Sequence, residues 1–340
     1  MSKIKILVTG GLGYIGSHTV VELIKNDFEV IVIDNLSNSR LNTLESINRI
    51  TGVIPTFYKV EMLNIEELRN IFLKEKNIQT IIHFAAFKSV AESVLFPLKY
   101  YKNNLFCLIN LLECMIEFNI NNIVFSSSAT VYGQIDKLPA FENTPIKPAL
   151  SSYGSTKQFG EDILQKITSS SNIKAISLRY FNPVGAHESS FLGEFPNGIP
   201  NNLMPYITKV ACGELNRITV FGDDYNTIDG TCIRDYIHVT DLAKAHIKSC
   251  QRLINTNNSN YKVYNIGTGN GYSVLQVIKA YEDYNDVKIN FEIGPRRDGD
   301  APIIYANTDL AKCELEWEAN LKLEDFVTTE WNWSLFLKNI

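Results

Sequence analysis

The sequence predicts an α/β fold in which a doubly wound parallel sheet is followed by a smaller C-terminal α/β region. Two observations support this prediction. Through the first half of the chain, short β-branched runs alternate with longer segments of helical apolar spacing, and after Phe181 the sequence becomes rich in Asn, Pro and Gly. Alternating strand and helix patterns are typical of βαβ units, which bury a parallel sheet between two layers of helices.

The individual elements follow from these patterns. Strands are predicted at 4–8, 29–33, 54–58, 78–83, 122–126 and 175–179, and helices at 15–26, 64–75, 98–117 and 153–169. The irregular stretch after Phe181 indicates functional loops, because long loops are uncommon in compact proteins. We place a domain boundary near Asn182, which gives domains 1–182 and 183–340, and expect about 235–267 to return to the first domain.

The composition excludes several classes of function. A net charge of -5 over 340 residues provides no basic field for nucleic acid or an anionic membrane. No apolar run approaches about 18 residues, so we expect a soluble cytoplasmic protein without a membrane span. The six cysteines form no C-x-x-C pair and the histidines no metal-ligand spacing, which favours reduced thiols, structural histidines and no metal.

A glycine-rich turn follows the first predicted strand and opens the first predicted helix. Gly10, Gly13 and Gly16 allow a tight turn, close approach to a pyrophosphate and contact between helix and strand, while the helix N-terminus supplies amide donors. Asp34 ends the second strand, about 20 residues onward, where its carboxylate can accept the ribose hydroxyls of a dinucleotide. That carboxylate would repel a 2′-phosphate, so the pattern favours NAD over NADP, whereas a lone glycine triplet could be a plain turn.

A second group of residues has the spacing of an acid–base centre. Tyr153 and Lys157 lie four residues apart on one predicted helix face, after serines that can cap the helix. A neighbouring ammonium and a positive nicotinamide ring both favour the phenolate, so we expect Tyr153 to be a general base, with Ser128 bonding the reacting hydroxyl. The alternative is a surface pair of Lys157 with Glu161; a serine hydrolase is excluded because G-x-S-x-G is missing.

These motifs resemble known proteins. The G-x-x-G-x-x-G spacing resembles that of the short-chain dehydrogenase/reductase superfamily, with its Rossmann-like cofactor domain, and the DNLSNS loop is similar to the adenosine loop of its extended members. Strings that include VTGGLGYIGSHT, IIHFAAFKSVAESV, FSSSATVYG, LRYFNPVGAH and RDYIHVTDLA cover nearly the whole chain. On them the chain is identified as a member of the UDP-glucose (UDP-galactose) 4-epimerase family, which implies an NAD-dependent isomerase of galactose metabolism.

The resemblance implies a set of residues that hold the cofactor in domain 1–182. They are Gly10, Gly13, Tyr14, Ile15, Gly16, Asp34, Asn35, Leu36, Ser37, Asn38, Ser39, Glu61, Met62, Phe84, Ala85, Ala86, Lys88, Asn103, Ser128, Tyr153, Lys157 and Phe181. One departure is that the chain reads Val60-Glu61-Met62 where the family usually has an aspartate, so the adenine contact passes to a longer side chain.

The resemblance also implies a UDP-sugar site in domain 183–340. Its residues are Lys88, Ser128, Tyr153, Asn182, Asn202, Leu203, Thr219, Val220, Phe221, Arg234, Tyr236, Arg297, Asp300 and Ile304. Two arginines suit a diphosphate, because guanidinium groups donate forked, charge-assisted hydrogen bonds. In the family, the position of Ile304 has a bulky side chain in enzymes confined to glucose and galactose. It has a small side chain in enzymes that also accept N-acetylated sugars. The family likeness further implies a homodimer through 98–117 and 153–169.

Two alternatives remain beside the epimerase. A nucleotide-sugar 4,6-dehydratase would use the same 4-keto intermediate, but such enzymes show an Asp-Glu pair where this chain has Ala129-Thr130. A non-catalytic NAD-binding protein could have the same fold, since a fold does not determine a function. Such proteins commonly lack the tyrosine or the lysine, and both are present here.

Overall fold

Short runs of apolar, often β-branched residues that are buried on both faces produce the main strands, and amphipathic segments produce the helices between them. A computed structural model describes residues 3–195, 198, 200, 202–256, 261–297 and 300–338. Its strands are β1 Lys5–Thr9, β2 Glu29–Asp34, β3 Thr56–Lys59, β4 Ile78–His83, β5 Asn122–Ser128, β6 Lys174–Tyr180, β7 Asn182–Val184, β8 Ile218–Phe221, β9 Ile233–His238, β10 Tyr261–Ile266, β11 Gly271–Ser273, β12 Phe291–Gly294 and β13 Ile303–Ile304. Its helices are α1 Tyr14–Lys25, α2 Thr43–Thr51, α3 Ile65–Lys74, α4 Val90–Leu95, α5 Pro97–Glu117, α6 Ser152–Ser170, α7 Leu203–Ala211, α8 Val239–Asn255, α9 Val274–Asn285, α10 Asp309–Leu315 and α11 Leu323–Lys338.

The main sheet is parallel throughout, with the order β10-β6-β5-β4-β1-β2-β3. Its order reverses at β1 and β4, and the carboxyl ends of these two strands meet, with Thr9 opposite His83. Ligands of open α/β sheets bind at such a reversal. The predicted doubly wound fold is confirmed, and the predicted strands and helices differ from the observed ones by at most two residues at either end.

Each face of the main sheet is covered by helices because its strand residues are apolar on both sides. One core contains Ile6 and Val8 of β1 with α1 and α8, and the other contains Leu7 with α3, α5 and α6. These strand side chains are fully buried. The two cores fix the sheet edge from which the loops after β1, β2, β4 and β5 project.

A smaller α/β region lies beside the main sheet. Strand β9 pairs in parallel with β7 and β13 and antiparallel with β11, β8 pairs with β12, and α7, α9 and α11 enclose a third core. Within 235–267, residues 235–238 belong to β9, whereas α8 packs on α1 and β10 joins the main sheet. The division into a cofactor domain and a substrate domain stays a prediction.

The helices have the lengths of a globular protein. Over the described ranges, no helix is both long and apolar enough to cross a membrane.

Candidate active site

The glycine-rich turn after β1 forms a cradle that side chains would fill. Gly10 has a φ of 65°, and a Cβ there would lie 2.9 Å from the Ala85 nitrogen; a Cβ on Gly16 would lie 2.3 Å from the Gly10 oxygen. Helix α1 begins at Tyr14 and Ile15 after Gly13, which offers no side-chain cap. The first amides of α1 are therefore available to an anion, as a dinucleotide pyrophosphate requires.

The carboxylate of Asp34 organises the loop after β2. Its Oδ2 accepts a hydrogen bond from the Leu12 nitrogen at 3.1 Å, and its Oδ1 accepts bonds from the Leu36 nitrogen at 2.9 Å and Ser39 Oγ at 2.7 Å. Asp34 thus joins the glycine turn to loop 34–39, which also contains Ser37 and Asn38. A buried carboxylate at this place fits NAD and disfavours a 2′-phosphate.

Glu61 lies beside the same loop. Its Oε2 accepts a hydrogen bond from Asn35 Nδ2 at 3.0 Å, and the carbonyl of the buried Met62 accepts one from Asn110 Nδ2 at 2.9 Å. The structure therefore brings Glu61 to the predicted adenosine loop, where its longer side chain already holds Asn35.

The loop after β4 closes the opposite side of the cradle. The Phe84 nitrogen donates to the Thr9 carbonyl at 3.1 Å, and the Ala85 nitrogen donates to Thr9 Oγ1 at 3.2 Å, which leads the chain through Ala86 past the glycine turn. The Lys88 ammonium lies 5.7 Å from the centre of the Tyr14 ring and pairs with Glu194 at 2.6 Å.

Helix α5 supports this loop through two neighbouring asparagines. Asn103 Nδ2 donates to Asn104 Oδ1 at 3.0 Å, and the Asn104 amide bonds both the nitrogen and the carbonyl of Phe87. Asn104 also donates to Thr156 of α6 at 3.1 Å, so the predicted cofactor loop and the helix that contains Tyr153 share one hydrogen-bond network.

Ser128, Tyr153 and Lys157 meet where β5 ends and α6 begins. Helix α6 is capped by Ser151, whose hydroxyl accepts the Gly154 nitrogen at 3.1 Å, as the serine pattern predicts. The Lys157 ammonium donates to the Ser126 carbonyl at 2.6 Å and lies 5.7 Å from the centre of the Tyr153 ring. Ser128 Oγ accepts the Thr130 nitrogen at 3.2 Å, and the Ser128 hydroxyl lowers the pKa of the Tyr153 phenol.

Burial shifts the pKa values of both ionisable groups of this centre. Burial raises the pKa of Tyr153 to about 12, and the hydrogen bond with Ser128 offsets only part of that rise. Burial also lowers the pKa of Lys157 to about 7, against a smaller opposing effect of Glu161. In the protein alone, desolvation of both side chains is the larger effect, and the expectation that the Lys157 ammonium and a nicotinamide ring together favour the phenolate stays a prediction.

The alternative of a surface pair between Lys157 and Glu161 does not correspond to the structure. The Glu161 carboxylate is buried and accepts Arg179 Nε at 2.9 Å, Arg179 Nη2 at 2.6 Å and Ser127 Oγ at 2.5 Å. Sequence reasoning missed this buried ion pair, although Arg179 stands in the LRYFNPVGAH string. It leaves the Lys157 ammonium free to face the Ser126 carbonyl and Tyr153.

The small sheet brings the predicted substrate residues together. In its register Asn182 lies beside Tyr236, and Ile304 beside Arg234. Ile304 also packs on a cluster that contains Phe181 and Ala129, next to Ser128. Ile304 thus lies between Arg234 and the residues next to Ser128.

Two arginines converge on one carboxylate. Arg234 Nη2 donates to Asp300 Oδ1 at 3.3 Å, and Arg297 Nε donates to Asp300 Oδ2 at 3.0 Å. The Arg297 guanidinium also lies over the Phe221 ring, 4.9 Å from its centre. A cationic pair of this kind is suited to a diphosphate next to a flat aromatic ring.

The remaining substrate candidates lie around this pair. Thr219 Oγ1 donates to Glu292 at 3.3 Å, whereas Val220 is buried in the third core. Asn202 precedes Leu203 at the start of α7 without capping the helix through its side chain. Sequence reasoning missed Asp235, a buried carboxylate that accepts Thr268, Gly269 and Ala306 nitrogens and so fixes the loops beside Arg234.

The histidines are buried and neutral. Burial lowers the pKa of His18, His83 and His238 to about 3 and that of His187 and His246 to about 4. Among the described residues, no group of three or more His, Cys, Asp or Glu side chains is arranged to hold a metal ion.

Comparisons with known proteins place this fold and site in a class and then in a family. The fold and the Ser, Tyr and Lys constellation define a nucleotide-sugar enzyme of the short-chain dehydrogenase/reductase class, and the sequence model of the family described as GDP-mannose 4,6 dehydratase matches residues 7–329. The UDP-glucose 4-epimerase of Bacillus subtilis is 47% identical over 329 residues, 96% of each chain.

Solved structures agree with that relative. A UDP-glucose 4-epimerase from Stenotrophomonas maltophila with bound NAD and formylated UDP-arabinopyranose has a TM-score of 0.96 at 43% identity and covers 99% of both chains. One from Bifidobacterium longum with NAD+ and UDP has a TM-score of 0.93 at 45% identity and covers 98% of this chain and 99% of the other. The chain belongs to the UDP-glucose 4-epimerase family, whose members are isomerases.

Proposed function

We propose that this chain interconverts UDP-glucose and UDP-galactose by transient oxidation at sugar C4 with a retained NAD. The observation that carries the proposal is the meeting of Tyr153, Lys157 and Ser128 at the edge of a cradle that fits a dinucleotide. Such an activity would belong to galactose metabolism.

The chain's own residues would move one proton and hold the sugar. Tyr153 accepts the proton of the 4-hydroxyl while Ser128 bonds the same oxygen, and the proton returns from Tyr153 after the 4-keto sugar presents its other face. The chemistry that NAD would supply when bound is acceptance and return of the hydride at C4, and its positive ring would favour the phenolate. Lys157, buried and partly charged near neutral pH, stabilises the same phenolate from the helix side.

The substrate would be held mainly by its nucleotide. Arg234 and Arg297 exchange part of their contact with Asp300 for the diphosphate, Asp300 remains near the ribose, and Phe221 lies against the uracil. Because these donors contact the UDP part, the sugar can turn while the nucleotide stays fixed, as inversion requires.

The dehydratase alternative is disfavoured by the residues after Ser128. Ala129 and Thr130 occupy the 3₁₀ turn at the end of β5, where elimination of water would need a carboxylic acid. The non-catalytic alternative is disfavoured by the burial of Lys157. Burial of an ionisable side chain costs free energy, which a protein without a catalytic use for that side chain would avoid.

The acceptance of N-acetylated sugars depends on Ile304. Its intermediate volume, on the cluster with Phe181, leaves more space than an aromatic ring would. We expect Ile304→Tyr to lower the turnover of UDP-N-acetylglucosamine relative to that of UDP-glucose. An unchanged ratio of the two rates would remove Ile304 as the gate.

A homodimer through α5 and α6 is part of the proposal. Leu95 and Leu98 beside the start of α5 are 73% and 80% exposed, and Phe106 and Phe159 are 56% and 51% exposed. Exposed large apolar side chains on α5 and α6 are what an interface with a second copy would cover. Sedimentation of the chain should give twice the monomer mass, and Leu98→Glu should give the monomer.

We also propose that the enzyme works in the cytoplasm. Its six cysteines are free thiols, four of them buried, as a reducing compartment requires.

The decisive assay uses the purified chain with UDP-galactose and, separately, UDP-N-acetylgalactosamine, without added NAD. Interconversion to the gluco sugars, measured by chromatography, supports the proposal. A 4-keto-6-deoxy product would support the dehydratase, and the absence of any product with NAD bound would support the non-catalytic protein.

A further inference from the structure

One segment that is not among the predicted cofactor residues contacts the loops that are predicted to hold the cofactor. Residues 185–195, here called the clasp, follow β7 and contact elements on two sides. On one side, the Ala186 nitrogen donates to Thr329 Oγ1 at 3.2 Å and Trp333 Nε1 donates to the Glu194 carbonyl at 2.9 Å, which ties the clasp to α11. Both ends of the clasp are thereby held against α11 of the small region.

The other side of the clasp is tied to the cofactor region. The Tyr14 hydroxyl donates to the Gly185 carbonyl, and Lys25 Nζ of α1 lies 3.1 Å from His187 Nε2. Leu192 is buried in the core that α1 helps to form. Arg49 of α2 lies over the Phe191 ring, 3.9 Å from its centre. These contacts run along the helix whose N-terminus faces the pyrophosphate.

The last two residues of the clasp reach two different cofactor loops. Glu194 pairs with Lys88 after β4 at 2.6 Å, and the Phe195 ring covers the Arg40 guanidinium, 3.4 Å from the ring centre. Arg40 follows directly on the adenosine loop 34–39. The clasp therefore spans from the Lys88 side of the cradle to its adenosine side.

The Glu194 pair is placed to orient Lys88. The Glu194 side chain is only 10% exposed and its carbonyl is fixed by Trp333, whereas Lys88 is 48% exposed. An ammonium has three donors, so one bond to Glu194 leaves two for oxygen atoms of a cofactor. The fixed partner is Glu194, and the free side of Lys88 faces the Tyr14 ring at the start of α1.

We propose that the clasp retains the dinucleotide, with Glu194 as a positioning residue for Lys88 and Phe195 as the cover of Arg40 at the adenosine end. The inference rests on the proposed function, because it assigns how the same cofactor is kept between turnovers. It predicts that cofactor release requires the two ends of the clasp to open.

The test measures the exchange of bound NAD for labelled NAD in the full-length protein. Glu194→Gln removes the charge but keeps the carbonyl contact with Trp333, and Phe195→Ala removes the cover of Arg40. Each should speed exchange about tenfold, as expected when one charged or cation–π contact worth about that factor is lost. Turnover of each variant should also become dependent on added NAD and return to the wild-type rate when NAD is in excess.

Matched controls are Glu214→Gln, which breaks the exposed pair with Lys209, and Phe141→Ala, which removes a ring that is 45% exposed. Both should exchange NAD at the wild-type rate. The clasp proposal is overturned if Glu194→Gln and Phe195→Ala exchange NAD at the wild-type rate. It is also overturned if they lose turnover that excess NAD does not restore. A wild-type protein that cannot be loaded with NAD contradicts the proposed function as well, whereas equal exchange in all loaded variants contradicts the clasp alone.

Discussion

Lys157 points its ammonium at the main-chain carbonyl of Ser126, 2.6 Å away, and the centre of the Tyr153 ring lies 5.7 Å from the same nitrogen. The lysine is thus fixed by the end of β5 and acts on the phenol through its charge. Since burial lowers the pKa of Lys157 to about 7 and raises that of Tyr153 to about 12, the two groups resist ionising together in the protein alone.

Replacing Lys157 should reveal this coupling. Lys157→Met keeps the length and apolar stem but removes the charge that stabilises the phenolate, so kcat at pH 7 should fall by about 10²- to 10⁴-fold. The rising limb of kcat against pH should move to higher pH, because Tyr153 then ionises without a cation. Lys279→Met, at an exposed pair with Asp283, serves as the control. A wild-type pH profile in Lys157→Met would remove the lysine from the chemistry.

The two arginines should contribute unequally to substrate binding. The Arg234 side chain is 16% exposed and that of Arg297 is 56% exposed, although both bond Asp300. Each substitution by Met should raise KM for UDP-galactose, by about 10- to 100-fold for the loss of a charge-assisted bond, and Arg234→Met should have the larger effect. Steady-state kinetics should show kcat within a few-fold of wild type, and Arg69→Met should change neither constant. A fall in kcat at constant KM would contradict a role in binding.

The sequence predicts those parts of the site in which the interacting residues are close together along the chain. Local patterns, such as the glycine turn and the Ser151 cap of α6, correspond to what is observed because their geometry is determined within a few residues. Lys88 and Glu194 are 106 residues apart in the chain, so no periodicity relates them. The Glu161 and Arg179 pair was missed for the same reason, since only the packing of α6 on β6 brings these residues together.

Acid should destabilise the protein through its histidines. Burial lowers their folded pKa values to about 3 or about 4, from an ordinary value of 6.5. Between 6.5 and those values the unfolded chain binds protons that the folded chain does not, so the free energy of unfolding should fall with falling pH. Each histidine contributes about 1.4 kcal/mol per pH unit in that window. Urea unfolding at pH 7, 6 and 5 tests this, and a free energy that rises toward pH 5 would contradict it.

Glu330 should act in the opposite direction. Burial, with a smaller repulsion from Glu194, raises its pKa to about 8 from 4.5. The folded chain therefore keeps a proton that the unfolded chain has lost, and stability should fall as pH rises from 4.5 to about 8, by about 1.4 kcal/mol per pH unit. Glu330→Gln should remove this decline, which makes the variant more stable than wild type at pH 8 relative to pH 5. Parallel stability curves for the two proteins would show that the carboxyl ionises normally.

The central claim is that the phenol of Tyr153 exchanges the proton of the sugar hydroxyl beside a retained NAD. The most direct measurement is the interconversion of UDP-galactose and UDP-glucose by Tyr153→Phe, without added NAD, together with its content of bound NAD. We expect turnover to fall by about 10²- to 10⁴-fold while the bound NAD stays at the wild-type level. Near-normal turnover in this variant, with NAD bound, would contradict the account.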